Sequence, residues 1–139
     1  MSEKELQQKM MEYQYLEEKF KEYNQRRELF TIRIMEIEQS KEAIEEIEKS
    51  KQGDLFLPVG SNIFVPAKMN KNEKLIVGIG VDIVLEKDIS EIKIILEERR
   101  STLEKGLEGV QNNMLEIANQ MRELEPEIQK LMTQSEKAG

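Results

Sequence analysis

The sequence contains neither cysteine nor histidine. Without cysteine there are no disulfides or thiolate metal sites, and without histidine the commonest general base and metal ligand are missing. Aromatic residues make up 5% of the chain and charged residues 35%, a balance typical of long solvated helices. Carboxylates such as Glu45 and Glu46 are expected to lie on a solvated helix face. We therefore expect no enzyme activity, no metal site and no cofactor.

The chain also lacks a long apolar run and a basic block. No stretch approaches the ~20 apolar residues of a membrane span, and the opening MSEKELQQKMMEYQ lacks the apolar core of a signal peptide. The net charge is −7, with acidic residues in excess in 1–51 and 88–139 and balanced by basic ones in 52–87. A nucleic-acid binder would need a basic face. These features predict a soluble cytoplasmic protein that binds neither membranes nor nucleic acid.

Residues 88–139 carry an apolar repeat of seven residues. One row is apolar throughout, and a second row, four residues later, is apolar from Leu107 onward. Alternating spacings of four and three form the seam of a left-handed coiled coil. The first row is Ile89, Leu96, Leu103, Val110, Ile117, Leu124 and Leu131, and the second is Lys93, Arg100, Leu107, Met114, Met121 and Ile128.

Residues 1–51 carry the same repeat less strictly. Its rows are Leu16, Tyr23, Phe30, Ile37 and Ile44, and Leu6, Tyr13, Phe20, Arg27 and Ile34. Arg27 and Lys41 interrupt the seam, either with their stems packed along it and their charges in solvent, or to fix its register. Because the two arms are about equally long, antiparallel pairing predicts that the numbers of facing residues add up to about 139.

Three residues weaken the second arm. Gly106 and Gly109 each cost about 1 kcal/mol in a helix interior, and Pro126 costs about 3 kcal/mol. Pro126 falls on the outer face of the repeat, where a kink or a loosened turn is expected. This is either tolerated near a frayed helix end or gives the end of the arm flexibility.

The middle of the chain, residues 52–87, predicts β structure. The runs DLFLPV, IFVPAKM, KLIVGIG and VDIVLEK are rich in strand-forming residues, GSN at 60–62 predicts a tight turn, and NKN at 70–72 separates the middle pair. Gly78 and Gly80 predict either a bulge or a sharp bend. Two hairpins in one small sheet would share an apolar face of Leu55, Leu57, Val59, Val65, Ile79 and Val81. Because the edges of such a sheet are open, it is expected to serve assembly.

The order of these features resembles an archaeal prefoldin subunit. A helix is followed by FLPVG, IFVPAKM and LIVGIGVDIVLEKD, and then by a heptad helix. Two hairpins between the arms resemble the α class, and the resemblance covers the whole chain. It implies an α+β fold, a long antiparallel α-helical coiled coil with two central β-hairpins that assemble into an oligomeric β-barrel. Residues 1–139 would form a single prefoldin-like domain.

The resemblance also implies partners and a function. Two α-class subunits would join four β-class subunits, and the tips of the coiled coils would capture unfolded polypeptides without ATP, prevent aggregation and deliver them to a group II chaperonin. The residues expected to join subunits are Leu55, Leu57, Val59, Phe64, Val65, Ile76, Val77, Ile79 and Val81. A structural coiled-coil scaffold that oligomerises through its hairpins is the alternative.

The tip expected to contact unfolded clients is rich in methionine, a flexible side chain that suits adaptable binding surfaces. Met10, Met11, Tyr15 and Met132 lie off the seam, which favours client contact, whereas the other members of the set fit ordinary seam packing equally well. The full set is Leu6, Met10, Met11, Tyr13, Tyr15, Leu124, Ile128, Leu131 and Met132.

Overall fold

The computed structural model describes residues 2–50, 53–70 and 73–138. Its elements are α1 (Ser2–Lys49), β1 (Asp54–Gly60), β2 (Ile63–Lys68), β3 (Leu75–Gly80), β4 (Ile83–Lys87) and α2 (Ile89–Ala138). Two long helices with two antiparallel hairpins between them confirm the predicted α+β fold class. The predicted boundary at residues 51 and 52 and most of the NKN segment lie outside the described residues.

The first compact unit joins the described chain up to Ile32 with the chain from Leu103 onward. Its core consists of seam residues from both helices, as the apolar repeat predicts. Leu16, Ile117 and Leu124 are buried, and the half-buried Tyr13, Phe20, Tyr23, Met121 and Ile128 pack against them. Aromatic residues of α1 thus face smaller aliphatic ones of α2, and burial of each large apolar side chain stabilises the pairing by about 1.5–3 kcal/mol.

The second unit, Arg33–Thr102, contains both hairpins. Ile44, Ile92 and Leu96 are buried there, with Ile37, Leu75, Val77, Ile89 and Ile95 packed around them. At 5% exposed, Ile92 has the lowest exposed fraction among the buried apolar residues, yet it belongs to neither predicted row. Because Leu75 and Val77 of β3 cover α2 here, the helix buries a wider stripe than the seam alone requires.

The helices run antiparallel in each unit, with nearly the predicted register. Charged residues that interrupt the apolar rows reach glutamates of the other helix. The pairs are Lys41 with Glu97 at 3.6 Å, Lys93 with Glu48, and Arg100 with Glu38, and their numbers add to 138, 141 and 138. Arg27 instead is exposed and donates to the Asn24 side chain at 2.5 Å, so its charge lies in solvent.

The reversal between β1 and β2 is the two-residue turn that GSN predicts. Gly60 pairs with Ile63, and both intervening residues, Ser61 (φ 50°) and Asn62 (φ 64°), have positive φ. This pattern is typical of a type I′ turn, whose twist suits a hairpin.

The turn between β3 and β4 shows that one predicted strand begins two residues later than expected. The run VDIVLEK was expected to be a strand from Val81, but Val81 and Asp82 form the turn and β4 begins at Ile83. Asp82 has φ 61°, a conformation that aspartate tolerates better than most residues. A two-residue turn requires two residues that pair with neither strand, and here these are Val81 and Asp82. The high strand propensity of Val81 therefore does not keep it out of the turn.

The hairpins form two separate two-stranded sheets in the described residues, and the predicted single sheet is therefore wrong. Each strand of the first hairpin contains a proline, Pro58 or Pro66, which lacks the N–H group that a further ladder requires. In the second hairpin the register shifts between Gly78 and Gly80, at the two glycines where a bulge or a sharp bend was predicted.

Gly53 closes the base of the first hairpin. Its carbonyl accepts a hydrogen bond from the Met69 N–H at 2.8 Å, and its φ is 69°. A Cβ at this position would collide with the Met69 carbonyl oxygen. Glycine is therefore required here for both its conformation and its size.

Asp88 stands immediately before α2, and its carbonyl accepts the Ile92 N–H at 3.0 Å. Aspartate is a favoured residue at this capping position, and Glu91 adds a negative charge to the first turn, where the helix dipole favours it. The sharp change from strand to helix thus follows from local sequence.

Candidate interaction surfaces

The hairpins expose an unusual amount of apolar surface. Among the described residues 54–70 and 73–87, twelve large apolar side chains are exposed, from 40% for Leu85 to 90% for Val81. They are Phe56, Leu57, Val59, Ile63, Phe64, Val65, Ile76, Ile79, Val81, Ile83, Val84 and Leu85. Exposed apolar surface on strands whose outer edges are open is typical of a surface that pairs with another chain.

The first hairpin is apolar on both faces. Leu57 pairs with Val65, and their side chains share one face, whereas Phe56 pairs with Pro66 on the other face. Phe56 is 72% exposed, and the predicted Phe64 on the same face is 53% exposed, so both faces of this hairpin are open.

The second hairpin has one covered face and one open face. Val77 pairs with Leu85 on the side where Leu75 and Val77 pack against the helical cluster. Ile76 and Val84 lie on the opposite side and are 69% and 64% exposed. Arg99 of α2 donates to the Gly78 carbonyl at 2.7 Å and attaches this hairpin to the helix.

The residues predicted to join subunits fall into an exposed group and a group packed within the chain itself. Seven of them are exposed: Leu57, Val59, Phe64, Val65, Ile76, Ile79 and Val81. Leu55 is half-buried, and Val77 packs into the chain's own core. The exposed Phe56, Ile63, Ile83, Val84 and Leu85 were not in the predicted set, although these runs are apolar at nearly every position.

The second surface lies in the first unit, at the part of the coiled coil that we call the tip, residues 2–16 of α1 and 121–138 of α2. Met10, Met11, Tyr15 and Met132, the four residues predicted to lie off the seam, are 42%, 69%, 58% and 46% exposed. Of the other predicted tip residues, Leu124 is buried, and Leu6, Tyr13, Ile128 and Leu131 are half-buried.

Two polar contacts join the helices at the tip. The Lys9 ammonium lies 2.6 Å from a carboxylate oxygen of Glu127, and the Tyr13 hydroxyl donates to Glu125 at 3.0 Å. The two glutamates stand on either side of Pro126. These contacts were not predicted, although the residue numbers of the two pairs add up to 136 and 138, close to the expected 139.

These contacts alter how Lys9 and Tyr13 titrate. The hydrogen bond to Glu127 raises the pKa of Lys9 above its ordinary value of 10.5, with further contributions from Glu12 and Glu5. The hydrogen bond to Glu125 raises the pKa of Tyr13 above its ordinary value of 10.0. The neighbouring carboxylates thus favour the protonated forms of both side chains.

A shallow groove of about 240 Å³ lies between the helices beside the contact of Tyr13 with Glu125. Its lining is mainly apolar, with a polar wall at one side. The lining residues are Tyr13, Phe20, Ala118, Met121, Arg122 and Glu125.

Sites of other kinds are not found in the part of the chain that the structure describes. Over residues 2–50, 53–70 and 73–138, no three acidic side chains cluster closely enough to hold a metal ion. Neither described helix contains an apolar stretch suited to crossing a bilayer. The candidate surfaces are the exposed apolar residues of the hairpins and of the tip.

Comparison with known proteins decides the family. The family model described as "Prefoldin subunit" matches residues 16–134. The chain belongs to the prefoldin family. Proteins named "Prefoldin subunit alpha" from two archaea are similar along most of the chain. The one from Methanococcus vannielii is 30% identical over 76% of this chain and 71% of its own, and the one from Nitrosopumilus maritimus is 27% identical over 100% and 96%.

Solved structures support the same fold. A chain in the cryo-EM structure of filamentous PFD from Methanocaldococcus jannaschii superposes with a TM-score of 0.70 at 18% identity, covering 81% of this chain and 93% of that one. This structure supports the fold, and the sequence relatives confirm the resemblance to an archaeal α-class prefoldin subunit. Prefoldin is a chaperone family, and the chain therefore has a chaperone-type function.

Proposed function

We propose that the chain is a subunit of an ATP-independent chaperone in the cytoplasm, which captures unfolded polypeptides at its coiled-coil tips and keeps them from aggregating. The observation that carries the proposal is the set of exposed apolar residues at the tip, Met10, Met11, Tyr15 and Met132. Methionine side chains adapt to many partners, which an unfolded client requires. The captured client would pass to a group II chaperonin.

The hairpins support the assembly part of the proposal. Two α-class subunits would combine with four β-class subunits, with exposed hairpin residues such as Phe64 and Ile76 buried in a shared β-barrel. Each chain would act as a single domain. Several weakly binding tips on one assembly would gain affinity through effective concentration.

A structural scaffold is the second candidate, because exposed hairpins serve it equally well. The two functions differ at the tip. A scaffold needs no affinity for unfolded chains, whereas a chaperone loses its activity when its exposed tip residues become polar.

The test is light scattering of a chemically unfolded client diluted into buffer with the assembled protein. One variant carries Met11→Gln, Tyr15→Gln and Met132→Gln. The control carries Leu29→Gln, Ile32→Gln and Leu115→Gln, which are 56%, 52% and 60% exposed in the same unit but outside the tip. Both variants remove three exposed apolar side chains of similar exposure from coiled-coil positions.

We expect the wild-type protein and the control to suppress aggregation and the tip variant to lose most of this activity while its assembly stays intact by sedimentation. If the wild-type protein assembles but does not suppress aggregation, the scaffold is the better description. Equal losses in both variants would place client contact along the whole coiled coil instead of at the tip.

A further inference from the structure

Methionine dominates the exposed apolar surface of the tip. Among the tip side chains whose burial the structure describes, those of residues 3–16 and 121–137, the large apolar ones that are exposed are Met10, Met11, Tyr15 and Met132. Three of the four carry a thioether sulfur. Oxidation converts a thioether from a flexible apolar group into a polar, chiral sulfoxide. The apolar character of the tip therefore depends on side chains that an oxidant can make polar.

The exposed apolar surface of the hairpins has a different composition. Its twelve members, in the described residues 54–70 and 73–87, are phenylalanine, leucine, isoleucine and valine, without a methionine. Met69, whose N–H closes the base of the first hairpin, is half-buried. The chain contains no cysteine and no tryptophan, so methionine is the residue type that a mild two-electron oxidant attacks first. An oxidant would thus modify the tip and leave the surface proposed for subunit assembly apolar.

The other methionines provide an internal comparison. Met114 is buried, at 6% exposed, and Met121 is half-buried against the core of the first unit. Met35 is 57% exposed, but it lies in the second unit and belongs to neither candidate surface. An oxidant should therefore modify Met35 together with the tip and reach Met114 last. This order separates the effect of oxidation at the tip from that of oxidation elsewhere.

We propose that Met10, Met11 and Met132 are sites of reversible oxidation by a peroxide, and that their conversion to sulfoxides switches off client capture while the assembly stays intact. The sulfur lone pair attacks one oxygen of hydrogen peroxide, the S–O bond forms and the O–O bond breaks. The proton on the transferred oxygen passes to the departing hydroxide, which leaves as water. Sulfur loses two electrons and the peroxide gains them. A methionine sulfoxide reductase reverses the change, with two thiols oxidised to a disulfide and the oxygen released as water.

The sulfoxides would remove most of the apolar contact that the tip offers. A sulfoxide oxygen accepts hydrogen bonds from water, and burying it against an apolar client without a partner costs free energy. Of the exposed apolar set only Tyr15 would remain. Because several tips hold one client, a modest loss at each tip lowers the affinity of the assembly steeply. The proposal rests on the proposed function, since oxidation of the tip matters only where the tip contacts the client.

The test measures suppression of client aggregation by light scattering before and after oxidation. The full-length chain is treated with hydrogen peroxide, freed of it, and then assembled with untreated partner subunits. We expect suppression to fall to the level of the variant Met11→Gln, Tyr15→Gln and Met132→Gln, while sedimentation shows an intact assembly. Mass spectrometry of proteolytic peptides should show one added oxygen at each exposed tip methionine and at Met35 before any at Met114. Treatment with a methionine sulfoxide reductase and a thiol should restore suppression.

Two variants assign the effect to the tip. One carries Met10→Leu, Met11→Leu and Met132→Leu, because leucine matches methionine closely in volume and helix propensity but has no sulfur. Whatever its suppression before treatment, peroxide should leave that value unchanged. The control, Met35→Leu with Met69→Leu, keeps all three exposed tip sulfurs, and peroxide should lower its suppression as strongly as that of the wild-type protein.

Full suppression by wild-type protein whose three exposed tip methionines are oxidised would overturn the proposal, and the proposed function would stand as long as the glutamine variant of the tip is inactive. Equal losses on oxidation in the leucine variant and the wild-type protein would also overturn it, because the decisive site would then lie elsewhere. Dissociation of the oxidised assembly would contradict the expected sparing of the hairpins. If the untreated wild-type protein does not suppress aggregation, the proposed function fails first and this proposal fails with it.

Discussion

Replacing Gly106 by alanine sets two opposing effects against each other. Alanine is favoured over glycine by about 1 kcal/mol in a helix interior. A Cβ at this position would, however, lie 2.6 Å from two ring carbons of Phe30, well inside the ~3.5–4 Å of a normal carbon contact. Phe30 is half-buried in the seam, and overpacking of this kind costs about 1–3 kcal/mol. We therefore expect Gly106→Ala to range from neutral to about 2 kcal/mol destabilising.

Gly109 provides the matched control in the same helix. No atom lies within 4 Å of a Cβ built there, so Gly109→Ala should show only the gain in helix propensity, about 1 kcal/mol of added stability. The difference between the two variants then measures the contact with Phe30 and should amount to about 1–3 kcal/mol.

The assay is urea unfolding followed by circular dichroism, at one protein concentration because assembly contributes to apparent stability. Adding Phe30→Leu to Gly106→Ala should recover part of the loss, since a smaller, more flexible side chain can move aside. If the two alanine variants are equally stabilised, the ring does not pack against Gly106 and the reasoning is refuted.

Three further predictions concern the first hairpin, the tip and the helix pairing. Gly53→Ala should destabilise the hairpin base by at least 1 kcal/mol, because its φ of 69° and a close backbone carbonyl both disfavour a Cβ, and thermal unfolding measures this loss. The absorbance titration of wild-type protein minus Tyr13→Phe should show a midpoint above pH 10.0, which Glu125→Gln lowers. The Tyr13 hydrogen bond thus contributes stability that is fully present below the unfolded-state pKa and is lost as the pH rises through the folded one. Lys93→Glu should lower stability by under ~1 kcal/mol in urea, and the exchanged pair Lys93→Glu with Glu48→Lys should restore it.

Each of these predictions has an outcome that contradicts it. Unchanged stability in Gly53→Ala would mean that the hairpin base can shift to accept a side chain. A Tyr13 midpoint at or below pH 10.0 would mean that the hydroxyl does not donate to Glu125. If the exchanged pair is as unstable as the single variant, the helices do not pair in the register described.

The pairing of the helices could be predicted because it depends on few quantities. Two arms of similar length and a repeat of seven residues leave one antiparallel register, and Lys41 with Glu97 follows it. The burial of Ile92 could not be predicted this way. Its burial depends on Leu75 and Val77, which pack against the same cluster. The apolar repeat of a helix predicts its contacts with the other helix, but not its contacts with a strand elsewhere in the chain.

The tip shows where the repeat is informative about function and where it is not. Residues off the seam, such as Met11 and Tyr15, are exposed because a two-helix coil covers only the seam face of each helix. The contacts of Lys9 and Tyr13 with the two glutamates around Pro126 follow from the pairing rule, but only after the register is known, because many other glutamates in the arms are equally plausible partners from composition alone.

The strands of the hairpins were predictable, and so were most of their exposed apolar residues, but not which faces the rest of the chain leaves open. Alternation of apolar and polar residues normally tells which face of a strand is buried, and here it fails because Phe56 and Leu57 are both apolar and both exposed. A two-stranded sheet has two faces, and the helices of this chain cover one face of the second hairpin through Leu75 and Val77. A sequence that keeps the opposite face apolar as well, with Ile76 and Val84, favours a second covering layer from outside the chain, which is why the hairpins and not the helices are the proposed site of subunit assembly.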